Sequence, residues 1–223
     1  MFRMDKICVP KRKFLVEIKC GFRNIDKSFI PMTTNRLEAF SDGVLAIIIT
    51  IMVLQVNIPE GSSFESLRPL LPKFLSYIFS FIYVGIYWNN HHHLFQVTSK
   101  VNGKVLWGNL NLLFWLSLLP VATNWIGETV FASNPVAVYG FILMMCAIAY
   151  HFLESAVIHA EGRDSKLAQA VKSRWKEKIS TVLYLLGIVV SFFYPYVSVG
   201  IYYVVAIMWL VPDLRIEKEL KEN

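Results

Sequence analysis

Two short polar clusters interrupt a largely apolar chain, and both hold residues able to do chemistry. The first is Arg36, Glu38, Ser41 and Asp42, opening a run that continues through Ile47, Ile48 and Ile49. The second is Asn89-Asn90-His91-His92-His93, closing another apolar run. Carboxylates and imidazoles serve acid–base catalysis, proton relay and metal ligation. Each use needs a geometry that spacing can test. Successive residues on a helix point about 100° apart, so His91, His92 and His93 cannot all reach one ion, and no metal site is expected. The acids and histidines form no recognised nucleophile arrangement either, so no catalytic residue is assigned and an enzyme ranks last. Arg36 and Asp42 are six residues apart and lie on different helix faces. Asp42 therefore needs a partner from another helix. The expected pairing is a hydrogen bond with one of the histidines, which would neutralise the carboxylate and respond to pH near neutrality.

The elements that must position these clusters follow from composition. The 223 residues are 55% hydrophobic and 17% charged, and the mean hydropathy is +0.48. A soluble domain carries about 25% charged residues, so a soluble enzyme and a nucleic-acid-binding domain are both disfavoured. Cys8, Cys20 and Cys146 have no metal-type spacing. Six apolar segments are read at 37–58, 74–95, 105–125, 136–157, 179–195 and 198–211. The first four have the roughly 20 residues needed to cross a bilayer. The last two are shorter and are divided by Pro195; a helical hairpin is expected there. Residues 32–216 are read as one six-helix transmembrane domain without internal duplication, followed by a charged tail over 217–223. Residues 1–31 carry eight Lys and Arg against three acids. They lack the apolar core of a secretory signal. They are read as a basic cytoplasmic arm, disordered or non-native, with Met32 as the alternative start.

Charge placement orients the spans. Six crossings put 20 of the 22 lysines and arginines on one side, leaving Arg68 and Lys73 on the other. The positive-inside rule then expects both termini in the cytoplasm. The protein is expected to be multi-pass in a prokaryotic cell membrane, with the lipid bilayer as its main partner. The net charge of +6 lies mostly in the arm, and nucleic acid is not an expected partner. Within the first span Ile47, Ile51 and Leu54 share one stripe with Thr50 beside them. Periodicity alone reads that stripe as lipid-facing or helix-packing surface.

Arg36-x-x-x-Phe40-Ser41-Asp42 resembles the signature opening the first helix of the transmembrane protein 175 family, potassium channels of endosomes, lysosomes and many prokaryotes. Trp88-x-x-His91-His92-x-Leu94-Phe95 is similar to the family's second motif, and Trp209-Leu-Val-Pro212-Asp213 resembles its ending. The resemblance covers about 32–216. It implies an all-α integral membrane protein with six transmembrane helices per subunit, a single repeat and a homotetramer. The first helix would line a central pore. It places the hydrophobic constriction at Ile47, a hydroxyl layer at Thr50 and a further apolar layer at Leu54, with Ile51 beside it. Ala46 lacks the hydroxyl that some relatives carry just before the constriction.

The expected function is a leak-like, potassium-permeable cation channel. The chain has no Thr-Val-Gly-Tyr-Gly-type carbonyl filter, so a narrow apolar ring is the remaining way to govern passage. Arg36, Phe40, Ser41, Asp42, Trp88, His91 and His92 are assigned to an inter-helix network that holds the first helix in place. No cofactor is expected; the permeant species are monovalent cations, above all potassium. The alternative is a proton-coupled secondary transporter using Asp42 and the His91–His93 cluster.

Overall fold

The computed structural model describes residues 33–162, 165, 168 and 175–210. The arm, Pro212, Asp213 and the charged tail lie outside the described residues. The described chain is helical. α1 spans Thr34–Leu54. A 3₁₀ segment at Phe64–Leu70 leads into α2, Leu71–Gln96. α3 is Gly103–Ser117, α4 is Leu119–Glu128 and α5 is Ser133–Glu161. α6 is Trp175–Ser191 and α7 is Pro195–Leu210.

Local chemistry sets these limits. Asn102 caps α3 by accepting hydrogen bonds from the backbone N–H groups of Lys104 and Val105. Pro72 sits in the first turn of α2, where its missing N–H costs nothing. α5 ends at Gly162, whose φ of 113° is open to glycine. The expected hairpin forms: Pro195 opens α7, and Phe192–Tyr194 make the turn after α6.

The third apolar segment differs from expectation. It is not one continuous helix; a turn at Leu118 separates α3 from α4. Pro120 removes the N–H that would bond to the Leu116 carbonyl, and its ring crowds that turn. The chain resumes at once, with the Ala122 N–H donating to the Leu118 carbonyl. Together α3 and α4 make one membrane-length stretch, so four stretches among the described residues are long and apolar enough to cross a bilayer. α6 and α7, of 17 and 16 residues, bring the helical segments among the described residues to six when α3 and α4 are taken as one.

α5 forms the centre, packing on α3, α4, α6 and α7. α1 packs on α2, α3 and α4. Lipid is as apolar as a leucine side chain, so close backbone approach and shape matter more here than burial of oil from water. Glycines supply that approach. A Cβ on Gly127 would stand 2.7 Å from the Lys73 Cα, and one on Gly140 or Gly187 would overlap the Tyr202 ring.

Contacts sort the bundle into two ends. At one end the Thr34 hydroxyl donates to the Thr98 carbonyl, and the Glu161 carboxylate accepts from the backbone N–H groups of Ser99 and Lys100 at 2.6 and 2.7 Å. At that end too Trp209 Nε1 donates to Ser180. At the other end Lys73 pairs with Glu128 at 2.5 Å, and the Tyr196 hydroxyl donates to the Val130 carbonyl. Val130 itself has φ 49°, a left-handed conformation that a β-branched residue rarely adopts. It occupies the usual glycine position of a helix-ending turn in which the Phe131 N–H donates to the Ile126 carbonyl. Arg68 and Lys73 thus stand at the end opposite Lys100 and Lys104, the separation that the charge pattern requires.

Candidate functional site: the first helix and its polar anchor

α1 has two faces. Leu37, Ser41, Leu45, Ile48 and Met52 recur every three or four residues and are buried. The opposite face is bare. Arg36, Phe40, Gly43, Ile47, Thr50, Ile51 and Leu54 are all exposed in the subunit. Ile47 is 60% exposed while its neighbour Ile48 is 3% exposed, which fixes the direction of each face. The four residues assigned to the constriction and its layers therefore share one unpacked stripe. The Thr50 hydroxyl donates to the Ala46 carbonyl at 2.8 Å.

The buried face is anchored at its first turns by a polar chain. His91 Nε2 donates to Asn109 Oδ1 at 2.8 Å, Asn109 Nδ2 donates to Ser41 Oγ at 2.9 Å, and Ser41 donates to the Leu37 carbonyl. His91, Asn109 and Ser41 are buried, so each bond saves a group from desolvation without a partner. One histidine thereby holds α1, α2 and α3 together. Asn109 was missed in the sequence; a buried asparagine in an apolar run was the available signal.

The expected Asp42–histidine hydrogen bond is not the one that forms. Asp42 Oδ1 accepts from Trp88 Nε1 at 3.0 Å. The carboxylate that meets a histidine is Glu38, whose Oε1 lies 2.6 Å from His92 Nδ1. The reason is depth. α1 and α2 run antiparallel, so the first turn of α1 lies level with the last turn of α2. Glu38 is level with His92; Asp42, one turn deeper, is level with Trp88. The Trp88 and His92 rings stack at 6.0 Å with 15° between planes, closing the ladder. Gln96 donates to His92 Nε2 at 2.7 Å, so both contacts fit a neutral imidazole protonated on Nδ1. Arg36 and Phe40, expected in this network, stay outside it and lie on the bare face.

A second titratable cluster escaped the sequence reading. His151 on α5 lies 2.8 Å from Glu177 on α6 and 3.8 Å from Glu154. His151 and Glu177 face a cleft of about 290 Å³ between α2, α5, α6 and α7. His151 and Glu154 are three residues apart and share a helix face, but Glu177 arrives from the next helix, beyond the reach of spacing rules.

Comparison with known proteins agrees with this architecture. The family model described as endosomal/lysosomal potassium channel TMEM175 matches residues 36–120. A protein from Chryseobacterium sp. strain P1-3, named as a potassium channel, is 67% identical over 192 residues, which is 86% of this chain and all of that one. Human TMEM175, named as an endosomal/lysosomal proton channel, is 33% identical over 133 residues, 54% of this chain and 26% of its own. Among solved structures, the crystal structure of a lysosomal potassium-selective channel TMEM175 homolog from Chamaesiphon minutus superposes with a TM-score of 0.69 at 30% identity, covering 81% of this chain and 97% of that one.

Proposed function

From the premise that this chain belongs to the TMEM175 family, we propose that it is a potassium channel, leak-like, whose pore is lined by α1 in a homotetramer. The observation that carries this reading is the bare stripe of α1. A helix packed on one face only leaves the other for lipid, for a neighbouring subunit or for a lumen. Four copies of the stripe around an axis would stack Ile47, Thr50 and Leu54 as successive rings, with Ile51 at the flank. The Ile47 ring is the constriction. An ion crossing it sheds water, which costs less for potassium than for the smaller sodium ion, and the Thr50 oxygens replace part of the lost hydration. Arg36 and Phe40, exposed on the same face, contact neighbouring subunits and the pore entrance. Glu38, Ser41, Asp42, Trp88, His91, His92 and Asn109 hold the helix in register. The end bearing Lys100 and Lys104 faces the cytoplasm of a cell membrane, with both termini there.

Bi-ionic reversal potentials of the purified protein in planar bilayers test this. Ile47→Asn wets the constriction and raises sodium permeability relative to potassium several-fold. Unchanged reversal potentials would remove Ile47 from the pore. The transporter reading has weaker support, because Asp42 and His92 are engaged at one end of the bundle rather than spaced across it. Saturable, proton-coupled flux without unitary currents would favour that reading instead.

A further inference from the structure

We propose that His151, Glu154 and Glu177 form a binding site for a divalent transition-metal ion of the zinc class, joining α5 to α6. Each residue offers one ligand atom, and the three atoms lie within 4.8 Å of one another. Ligands of a tetrahedral zinc ion stand roughly 3.3 Å apart, given bond lengths of about 2.0–2.2 Å. The observed separations of 2.8 and 3.8 Å from His151 Nδ1 bracket that value, so small side-chain rotations complete the site.

A separate observation at Glu154 points to a ligand. Its side chain is 9% exposed, and Oε2 is buried with no hydrogen-bond partner among the described residues. A carboxylate held this way in a membrane helix is unfavourable unless a cation reaches it. His151 is too far from it, at 3.8 Å, to supply a hydrogen bond. An ion seated between His151 Nδ1, Glu154 Oε2 and Glu177 Oε2 gives the Glu154 oxygen the partner it lacks.

The donor set selects the kind of ion. One imidazole nitrogen and two carboxylate oxygens suit zinc and its transition-metal neighbours, whereas calcium takes six to eight oxygens and magnesium keeps most of its water. The cleft supplies a route and a place for a water ligand, since Asn90, Ser180 and Tyr184 are on its wall. Lys178 is there too, and two carboxylates outweigh its one ammonium. In the topology proposed above the cleft lies toward the cytoplasmic side, but the site itself does not depend on ion conduction.

The test uses the full-length protein in detergent, stripped with a chelator and titrated with Zn²⁺ by calorimetry, with bound metal counted after desalting. The expected result is one ion per subunit at this cluster and a rise in melting temperature. His151→Gln, Glu154→Gln and Glu177→Gln each weaken binding at least tenfold and abolish the rise, while His159→Gln, on the exposed surface of α5, leaves both intact. Glu154→Gln removes a buried charge and keeps the shape, so it carries the test if another variant folds poorly. Binding that survives all three substitutions, binding lost with His159→Gln, or no binding by the unmodified protein overturns the proposal. Equal affinity for Mg²⁺ or Ca²⁺ overturns the choice of metal.

Discussion

α1 and α5 are both apolar and long enough to cross a bilayer, yet they are used in opposite ways. Half of the spanning stretch of α5 is buried within the subunit, against 28% for α1. α5 touches neighbours on most of its sides, and Gly140 lets Tyr202 of α7 pack directly against its backbone. α1 is fastened along one stripe and by a polar ladder at one end, and its other face is left alone. In water a bare face rich in isoleucine and leucine would be driven into the core. In a bilayer that drive is absent, and the face is free to be set aside for a neighbour or for a pore. Hydrophobicity therefore says nothing about which helix is scaffold. Packing within the subunit does.

The sharpest way to break this contrast is to overfill the centre. Gly140→Leu puts a branched side chain where the Tyr202 ring lies, and should cost about 3 kcal/mol or more. Loss of the folded protein in size-exclusion chromatography is the expected outcome. A variant that elutes and melts like the parent would mean that α5 is not the packing centre. Next come adjacent residues on the two faces of α1. Ile48→Ala should cost about 2 kcal/mol through lost packing, while Ile47→Ala should change subunit stability by less than about 0.5 kcal/mol. Thermal melts of the two variants decide it, and equal losses would erase the distinction between faces. Asn109→Leu strands His91 Nε2 and leaves Ser41 only its bond to the Leu37 carbonyl, at about 1–2 kcal/mol. Accelerated hydrogen exchange in the first turns of α1 should accompany it, whereas unchanged exchange would detach the polar chain from the helix it is argued to hold. The smallest effect is a gain. Val130→Gly relieves the left-handed valine and should add about 1 kcal/mol; a drop in melting temperature would show that the Val130 side chain contributes more than its backbone costs.

Much of the architecture was legible because membrane helices announce themselves by length and charge. The hairpin at Pro195 followed from a run too long for one span, and the two ends followed from where lysine and arginine collect. The turn at Leu118 was missed although Pro120 was in view, because an apolar run that continues past a proline still reads as one span. The polar anchor was legible in its members and misread in its pairing. Glu38 and Asp42 are one turn apart, as are Trp88 and His92, and only the relative depth of two antiparallel helices decides which meets which. The His151 cluster was invisible because its third member comes from the next helix.

The Thr50 hydroxyl has a polarity as well as a place. Its proton is spent on the Ala46 carbonyl one turn back, so what remains to face outward is the oxygen's lone-pair density. A free hydroxyl can turn to greet an ion of either sign; this one has already committed its positive end. Arranged in fourfold around an axis, such oxygens would form a weakly negative collar with no formal charge in it. A cation would find coordination there and an anion none, so the ring would sort ions by sign before the narrowing beside it sorts them by size.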